Sequence, residues 1–334
     1  MIAAPDGFYQ SAVRLEDPDH PHGIAQRFDV VVGSGRRGQT YLFWSGDLLF
    51  ELPISFWTST REWINSPGYP DGQVHFDRPI IPRCLECHTT WFRALPANAA
   101  SPRSLGDAAS GSSLPASAAT GENNRFDPGS LVLGIGCEKC HGPGRLHVER
   151  ERSPHPPPLG SREEAIVNPA RLPHDRQLDL CALCHAGVGL SLQPPLSYRP
   201  GDLLAAYLLI DPPPPGTPVD VHGDQVAALE RSRCFTSGAL TCSTCHNVHA
   251  KQEDVDAFSV HCLSCHKAEA CGRYKHLGEV IRTRCVECHM PEGKSSDLHS
   301  STGGRFLQAQ LRTHQIGIYP GATLLHPGVR GTAR

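Results

Sequence analysis

The sequence has no long hydrophobic run. Its longest apolar stretch, Leu203 to Ile210, falls far short of the roughly 20 residues that cross a bilayer as a helix, so no transmembrane segment is expected in this chain. It is also poor in charge, with 19% Asp, Glu, Lys and Arg against a usual value of roughly 25%. The formal net charge of −3 excludes a strongly cationic nucleic-acid binder. Only two methionines occur, which nearly removes thioether sulfur as a metal ligand. The first residues, Met1-Ile2-Ala3-Ala4-Pro5-Asp6, have neither the basic start nor the apolar stretch of a signal peptide. Glycine and proline, by contrast, are plentiful at 32 and 30 of 334 residues. That is a loop-rich composition below the roughly 25–30% of low-complexity disorder. The length allows about two domains.

Cysteine and histidine are the informative residues, at 14 and 19. Random placement would give roughly 0.03 copies of the pattern CxxCH. Six occur: Cys84–Cys87–His88, Cys137–Cys140–His141, Cys181–Cys184–His185, Cys242–Cys245–His246, Cys262–Cys265–His266 and Cys285–Cys288–His289. Two thiols three residues apart lie on one turn of chain, where they can add to the two vinyl groups of one porphyrin. The next residue, histidine, reaches the iron as proximal ligand. Structural zinc and redox disulfides also use CxxC, but neither needs a histidine directly after the second cysteine. The pattern therefore predicts six covalently attached c-type haems, with His88, His141, His185, His246, His266 and His289 as proximal iron ligands. Cys234 and Cys271 lie outside the motifs and read as buried, inert thiols.

The fold class expected is a mainly irregular and α multihaem cytochrome c fold with little regular secondary structure. Short helices would surround the CxxCH motifs, and a small antiparallel β region would occupy the N-terminus. Phe28–Val32 and Thr40–Trp44 read as strands, and so does Leu48–Leu52 after the turn Ser45-Gly46-Asp47. Gly33-Ser34-Gly35 between the first two reads as a hairpin turn rather than a phosphate loop. The expected organisation is a β-rich region at 1–80, a six-haem domain at 81–320 and a tail at 321–334. Ala94 to Gly121 is Ala/Ser/Gly/Pro-rich and reads as the heart of a flexible surface insertion at 94–129. Pro156–Pro158 and Pro212–Pro215 read as stiff connectors. Short helices are expected at Asp224–Arg233 and Leu277–Arg284. The motif histidines are 53, 44, 61, 20 and 23 residues apart, so no repeat period exists.

A bis-histidine haem needs a second histidine, and thirteen remain. Met1 is terminal and Met290 directly follows a proximal histidine, so the His/Met ligation that raises potential is not expected. His249 lies three residues after His246, on nearly the same side of a turn. It is placed for a neighbouring haem rather than its own. His147 follows His141 across the turn Gly142-Pro143-Gly144. His222 heads a candidate helix, and His314, His276 and His299 complete the candidate distal set. His20, His22, His75, His155, His174 and His326 lie in polar or proline-rich surroundings and read as solvated surface. His261 directly precedes Cys262 and reads the same way.

At these residues the chain resembles the multihaem c-type cytochromes of the cytochrome c-554/c-prime-like group, with doubled CxxCH motifs. The matching segments are Val32-Gly33-Ser34-Gly35, Ser66-Pro67-Gly68-Tyr69 and Gly136 through Gly144. They continue with Ser232-Arg233-Cys234-Phe235, Leu240 through His246, Cys285 through Pro291 and His314 through Tyr319. The resemblance covers about residues 28–320. It implies low-potential haems in van der Waals contact, carrying electrons in a periplasmic or extracellular respiratory chain. It also raises His147, His222, His249 and His314 as distal ligands. Members of this group begin with an export signal, so the expectation is that Met1 is an internal start. An upstream segment with the signal, and with one further haem, would precede it. An in-frame stop just before Met1 would overturn that.

The function expected is electron transfer between redox partner proteins, with no nucleic-acid partner and no substrate transformed. Twelve propionates and six ferric centres would move the charge from −3 to roughly −9, which favours positively charged partner surfaces. The alternative is a multihaem oxidoreductase with one open iron acting on a small nitrogen or sulfur compound. That class often carries CxxCK, which is absent here.

Overall fold

The computed structural model describes residues 1–13, 23–96, 123–155, 158, 165–214, 216–238 and 240–322. Most of the Ala/Ser-rich insertion lies outside these residues, as do His20, His22, His326 and part of each proline connector.

The described residues form five antiparallel sheets. The first holds β1 (Ile2–Ala4), β2 (Gly7–Val13) and β3 (Gly23–Arg27). A six-stranded sheet follows, from β4 (Val30–Val32), β5 (Gly38–Ser45), β6 (Leu48–Glu51), β7 (Ile54–Trp57), β8 (Glu62–Asn65) and β9 (Arg78–Pro79). Its centre is β5, which pairs with β4 from Val32↔Thr40 to Val30↔Leu42 and with β6 from Ser45↔Leu48 to Leu42↔Glu51. The Gly33–Gly35 turn between β4 and β5 holds both glycines at positive φ, 101° and 79°, a region closed to most side chains. Both faces of this sheet are covered. Leu42, Leu49, Ile80, Leu85, Phe92 and Phe126 pack on one side, and Tyr41, Phe43 and Leu52 on the other.

Short helices are spread through the remaining described chain. They are α1 (Pro82–His88), α2 (Glu138–His141), α3 (Arg145–Glu151), α4 (His174–His185), α5 (Gln225–Glu230), α6 (Arg233–Thr236), α7 (Ser259–Leu263), α8 (Tyr274–Leu277) and α9 (Cys285–His289). Two-stranded ribbons pair β10 (Thr89–Trp91) with β11 (Val132–Leu133), and β12 (Leu190–Ser191) with β13 (Leu208–Leu209). The last sheet is a long hairpin of β14 (Glu292–Thr302) and β15 (Arg305–Arg312). Among the described residues no helix is long and apolar enough to cross a membrane.

The fold corrects the expectation of a mainly irregular and α chain with little regular structure. Of the described residues, helix accounts for 28% and strand for 26%, in nearly equal shares. Strand is also not confined to the N-terminus, because β14–β15 closes the described chain. That hairpin turns at Gly303-Gly304, both at positive φ (57° and 73°), as a tight two-residue turn demands. β15 alternates apolar and polar residues from Leu307 to Arg312, but β14 is rich in Ser and Thr and carries no such period, so the pair is not announced by matching alternation. They dock through polar groups instead. The Asn65 N–H donates to Thr302 Oγ1 at 2.8 Å, Asn65 Nδ2 donates to the Ser301 carbonyl at 2.6 Å, and the buried Ser300 hydroxyl donates to the Asn65 carbonyl at 2.8 Å.

Candidate functional site

Each CxxCH motif is wound into a single turn. In the second, fourth and fifth motifs the histidine N–H donates to the carbonyl of the first cysteine, at 3.0, 2.9 and 2.9 Å. The first, third and sixth motifs end α1, α4 and α9. This turn puts both thiols and the histidine on one side of the chain, as attachment to one flat ring requires.

The motifs also meet one another. The Cys87 thiol stands beside that of Cys184, Cys181 beside Cys242, and Cys262 beside Cys285. The first motif is a neighbour of the third, the third of the fourth, and the fifth of the sixth. A buried ion pair fixes the first of these contacts. Arg83, inside the first motif's helix, pairs with Glu86 at 3.3 Å. Its Nε donates to the Val188 carbonyl at 2.6 Å and its guanidinium to the Leu183 carbonyl, while Glu86 accepts the Leu196 N–H at 2.6 Å.

Two histidine pairs stand out. The rings of His141 and His249 lie 5.9 Å apart at 25°, and those of His246 and His314 lie 6.1 Å apart at 29°. An imidazole nitrogen binds a first-row metal at about 2.0–2.1 Å, so two imidazoles sharing one iron hold their centroids roughly 6 Å apart. In each pair a motif histidine faces one from outside its own motif. Burial holds His314 at about 4, with the neighbouring His246 adding to the effect. Burial also lowers His88, with His222 contributing, and His185, with His246 and His222 contributing. His246 is lowered by burial against an opposing hydrogen bond from Gln252. These rings are neutral at pH 7, the form in which imidazole ligates a metal.

The ring orientations of two motif histidines are set by backbone. His141 Nδ1 donates to the Val167 carbonyl at 2.8 Å, and the Val167 N–H returns to the His141 carbonyl at 3.0 Å. His289 and Gly317 repeat the device, at 2.7 and 3.1 Å. A carbonyl on Nδ1 fixes the tautomer that leaves Nε2 for a metal. Nothing in the sequence could have pointed to Val167 or Gly317, because the groups involved are main chain.

The other candidates are placed differently. His222 stands beside His88, and its N–H is held by Asp220 at 2.7 Å. His147 lies on α3 with Nδ1 4.0 Å from Glu151, and His276 lies on α8. His299 is on β14, with Nδ1 bonded to the Ser296 carbonyl at 2.7 Å and its ring 5.0 Å from Phe306. Among the bland readings, His174 and His75 use Nε2 for the Leu240 carbonyl and for Gln73. Cys234 and Cys271 are half-buried, beside Cys245 and Cys288 respectively.

The surroundings fit the c-type haem that the motifs imply. Ile135, Leu146, Val248, Val260 and Val280 are all more than half exposed, and each lies within five residues of a CxxCH motif. Apolar side chains beside paired thiols are what a porphyrin face packs against. His314 Nδ1 is buried without a hydrogen bond of normal geometry, as though the ring were set for another partner. Among the described residues no group of three or more His, Cys, Asp or Glu side chains converges on one point.

No family model matches the chain, and no curated protein matches it. Among solved structures it is similar to the outer cell wall cytochrome OcwA, at 15% identity and a TM-score of 0.46. The match covers 85% of this chain and 66% of that one, just under two thirds. A likeness so distant carries over neither fold nor function.

Proposed function

We propose that this chain is a six-haem c-type cytochrome that transfers electrons in a respiratory pathway outside the cytoplasmic membrane. The observation that carries the reading is the facing of motif histidines His141 and His246 by His249 and His314 at the spacing of a shared iron. Residues 81–320 hold the haems, and the twelve motif cysteines form the thioethers. His249 and His314 are distal ligands for the second and fourth motifs, and His222 serves the first. His147, His276 and His299 remain the candidates for the others.

Bound haem iron supplies the one-electron couple, and the chain does the rest. The thiols hold each ring to its turn. The Val167 and Gly317 carbonyls fix the tautomers of His141 and His289 and raise their basicity, which favours the ferric state and a low potential. On this reading the haems follow an order unlike that of the sequence, first, third, fourth in one run and fifth beside sixth, which the neighbouring thiols support. Electrons pass along that spatial order. The haem-loaded charge of roughly −9 steers the protein to cationic surfaces of its partners.

The test is expression with a signal peptide in a host that matures c-type cytochromes, followed by spectra with dithionite and with carbon monoxide. Six haems per chain, a sharp reduced α-band and no change with carbon monoxide are expected. The His249→Ala variant should then admit carbon monoxide to one-sixth of the haem. Haem-free protein with bound zinc would overturn the reading. A carbon-monoxide-reactive sixth in the wild type would favour the oxidoreductase alternative.

A further inference from the structure

Ser232 stands at the N-cap of α6, where a serine hydroxyl ordinarily accepts a hydrogen bond from the first turn. Here it makes no capping bond. The side chain is fully buried, and its hydroxyl reaches a segment more than eighty residues away. It donates toward the His314 carbonyl at 3.1 Å, with the Ala228 carbonyl at 3.5 Å, and accepts the Ile316 N–H at 2.7 Å. The hydroxyl thus grips the peptide on both sides of Gln315.

The gripped segment serves two motifs at once. His314 presents its ring to His246, 6.1 Å away. Three residues on, Gly317 holds His289 through its own main chain, from Gly317 N–H to the His289 carbonyl and from the His289 side-chain Nδ1 to the Gly317 carbonyl. A shift of this segment would change the approach of a ligand at the fourth motif and the hydrogen bond behind a ligand at the sixth.

We infer that Ser232 is a positioning residue that sets ligand geometry at two sites together, those of His246 and His289. This rests on the six-haem reading above, and haem loading of the wild type tests that reading before any variant is made. The variant is Ser232→Ala, with Ser300→Ala as control. Ser300 is an equally buried serine, but its hydroxyl serves Asn65 and Thr302 in the hairpin.

Both proteins are examined as haem-loaded full chains by potentiometric titration and by low-temperature electron paramagnetic resonance. Ser232→Ala should keep six haems, shift two of the six one-electron components with their low-spin signals, and leave four in place. Ser300→Ala should leave all six in place. Superimposable titrations for Ser232→Ala and wild type would overturn the inference, as would an equal shift of all six components. Should Ser232→Ala fail to load, Ser232→Cys, which keeps the volume but bonds weakly, must show the two-component shift. Loss of haem from both variants would assign Ser232 to the fold as a whole and would also overturn it.

Discussion

The six-stranded sheet and the motif-bearing stretch are built on different principles. The sheet and its neighbours bury Val30, Tyr41, Leu42, Phe43, Leu49, Leu52, Ile64, Phe92 and Phe126, nearly all large. Between the second and sixth motifs the buried apolar residues among those described are Ala182, Leu183, Ala186, Leu204, Leu208, Ala228, Ala268, Ile281 and Val286, four of them alanine. At about 25 cal/mol per Å² of apolar surface, a core of alanines contributes far less than a core of leucines and phenylalanines. The first region can pack on its own side chains. The second arranges short turns around thiols, and on the proposed reading the porphyrins complete its interior. A sequence can thus be loop-rich in one half without being disordered, provided that the missing apolar volume is covalently supplied.

The largest effect that separates the two is withholding haem. Expressed without cytochrome c maturation, the chain should keep amide-exchange protection in β4–β8 and lose nearly all of it from α2 to α9. Equal protection in both regions would mean that the motif stretch folds on side chains alone, and the contrast would fall.

The seam between the regions is the next place to press. Arg83→Met would leave the Glu86 carboxylate buried without its partner and would unpair the Leu183 and Val188 carbonyls. Breaking a buried pair in this way costs about 3–5 kcal/mol. Urea unfolding followed separately by tryptophan fluorescence and by the Soret band should lose its coincidence as the two regions uncouple. Smaller, and confined to the sheet, is Leu42→Ala. Leu42 is 1% exposed at the centre of β5, and its truncation should cost about 3 kcal/mol with the haem spectrum unchanged.

How much of this was legible depended on where the information lay. The CxxCH turns, the β4–β5 hairpin and its glycines follow from local residue type. His249 reads as placed away from its own motif because only three residues separate it from His246, and its ring faces that of His141. The β14–β15 hairpin lies outside the sequence expectations: β15 alternates from Leu307 to Arg312, but β14, held through the Ser295 and Ser300 hydroxyls, offers no hydrophobic period to pair with it. Leu277–Arg284, expected as a helix, is a 3₁₀ turn over Gly278–Thr283. The roles of Val167, Gly317 and Ser232 depend on residues more than twenty-five positions apart meeting in space, and no local pattern encodes that.

That hairpin also tests the comparison most finely, since it follows the last motif in sequence yet docks on the sheet. Asp71 ties it down, accepting the N–H groups of Gly303 at 3.0 Å and Gly304 at 2.7 Å together with Asn65 Nδ2 at 3.1 Å. These bonds, that from Gly304 foremost, hold the Asp71 carboxyl below its ordinary value of 3.8. Because the folded value is the lower one, the unfolded chain binds the proton more readily. The stabilisation is therefore complete above the ordinary carboxylate value and is lost as pH falls from there through the folded value. Protection factors for the Gly303 and Gly304 amides should drop across that acid window, while those in β5 hold. Asp71→Asn should start lower and remain flat, because an amide keeps the shape but carries no charge to lose. A wild-type hairpin whose protection ignored this window would mean that Asn65 and Ser300 hold it without Asp71. The link between the two regions would then be a set of neutral hydrogen bonds, insensitive to acid.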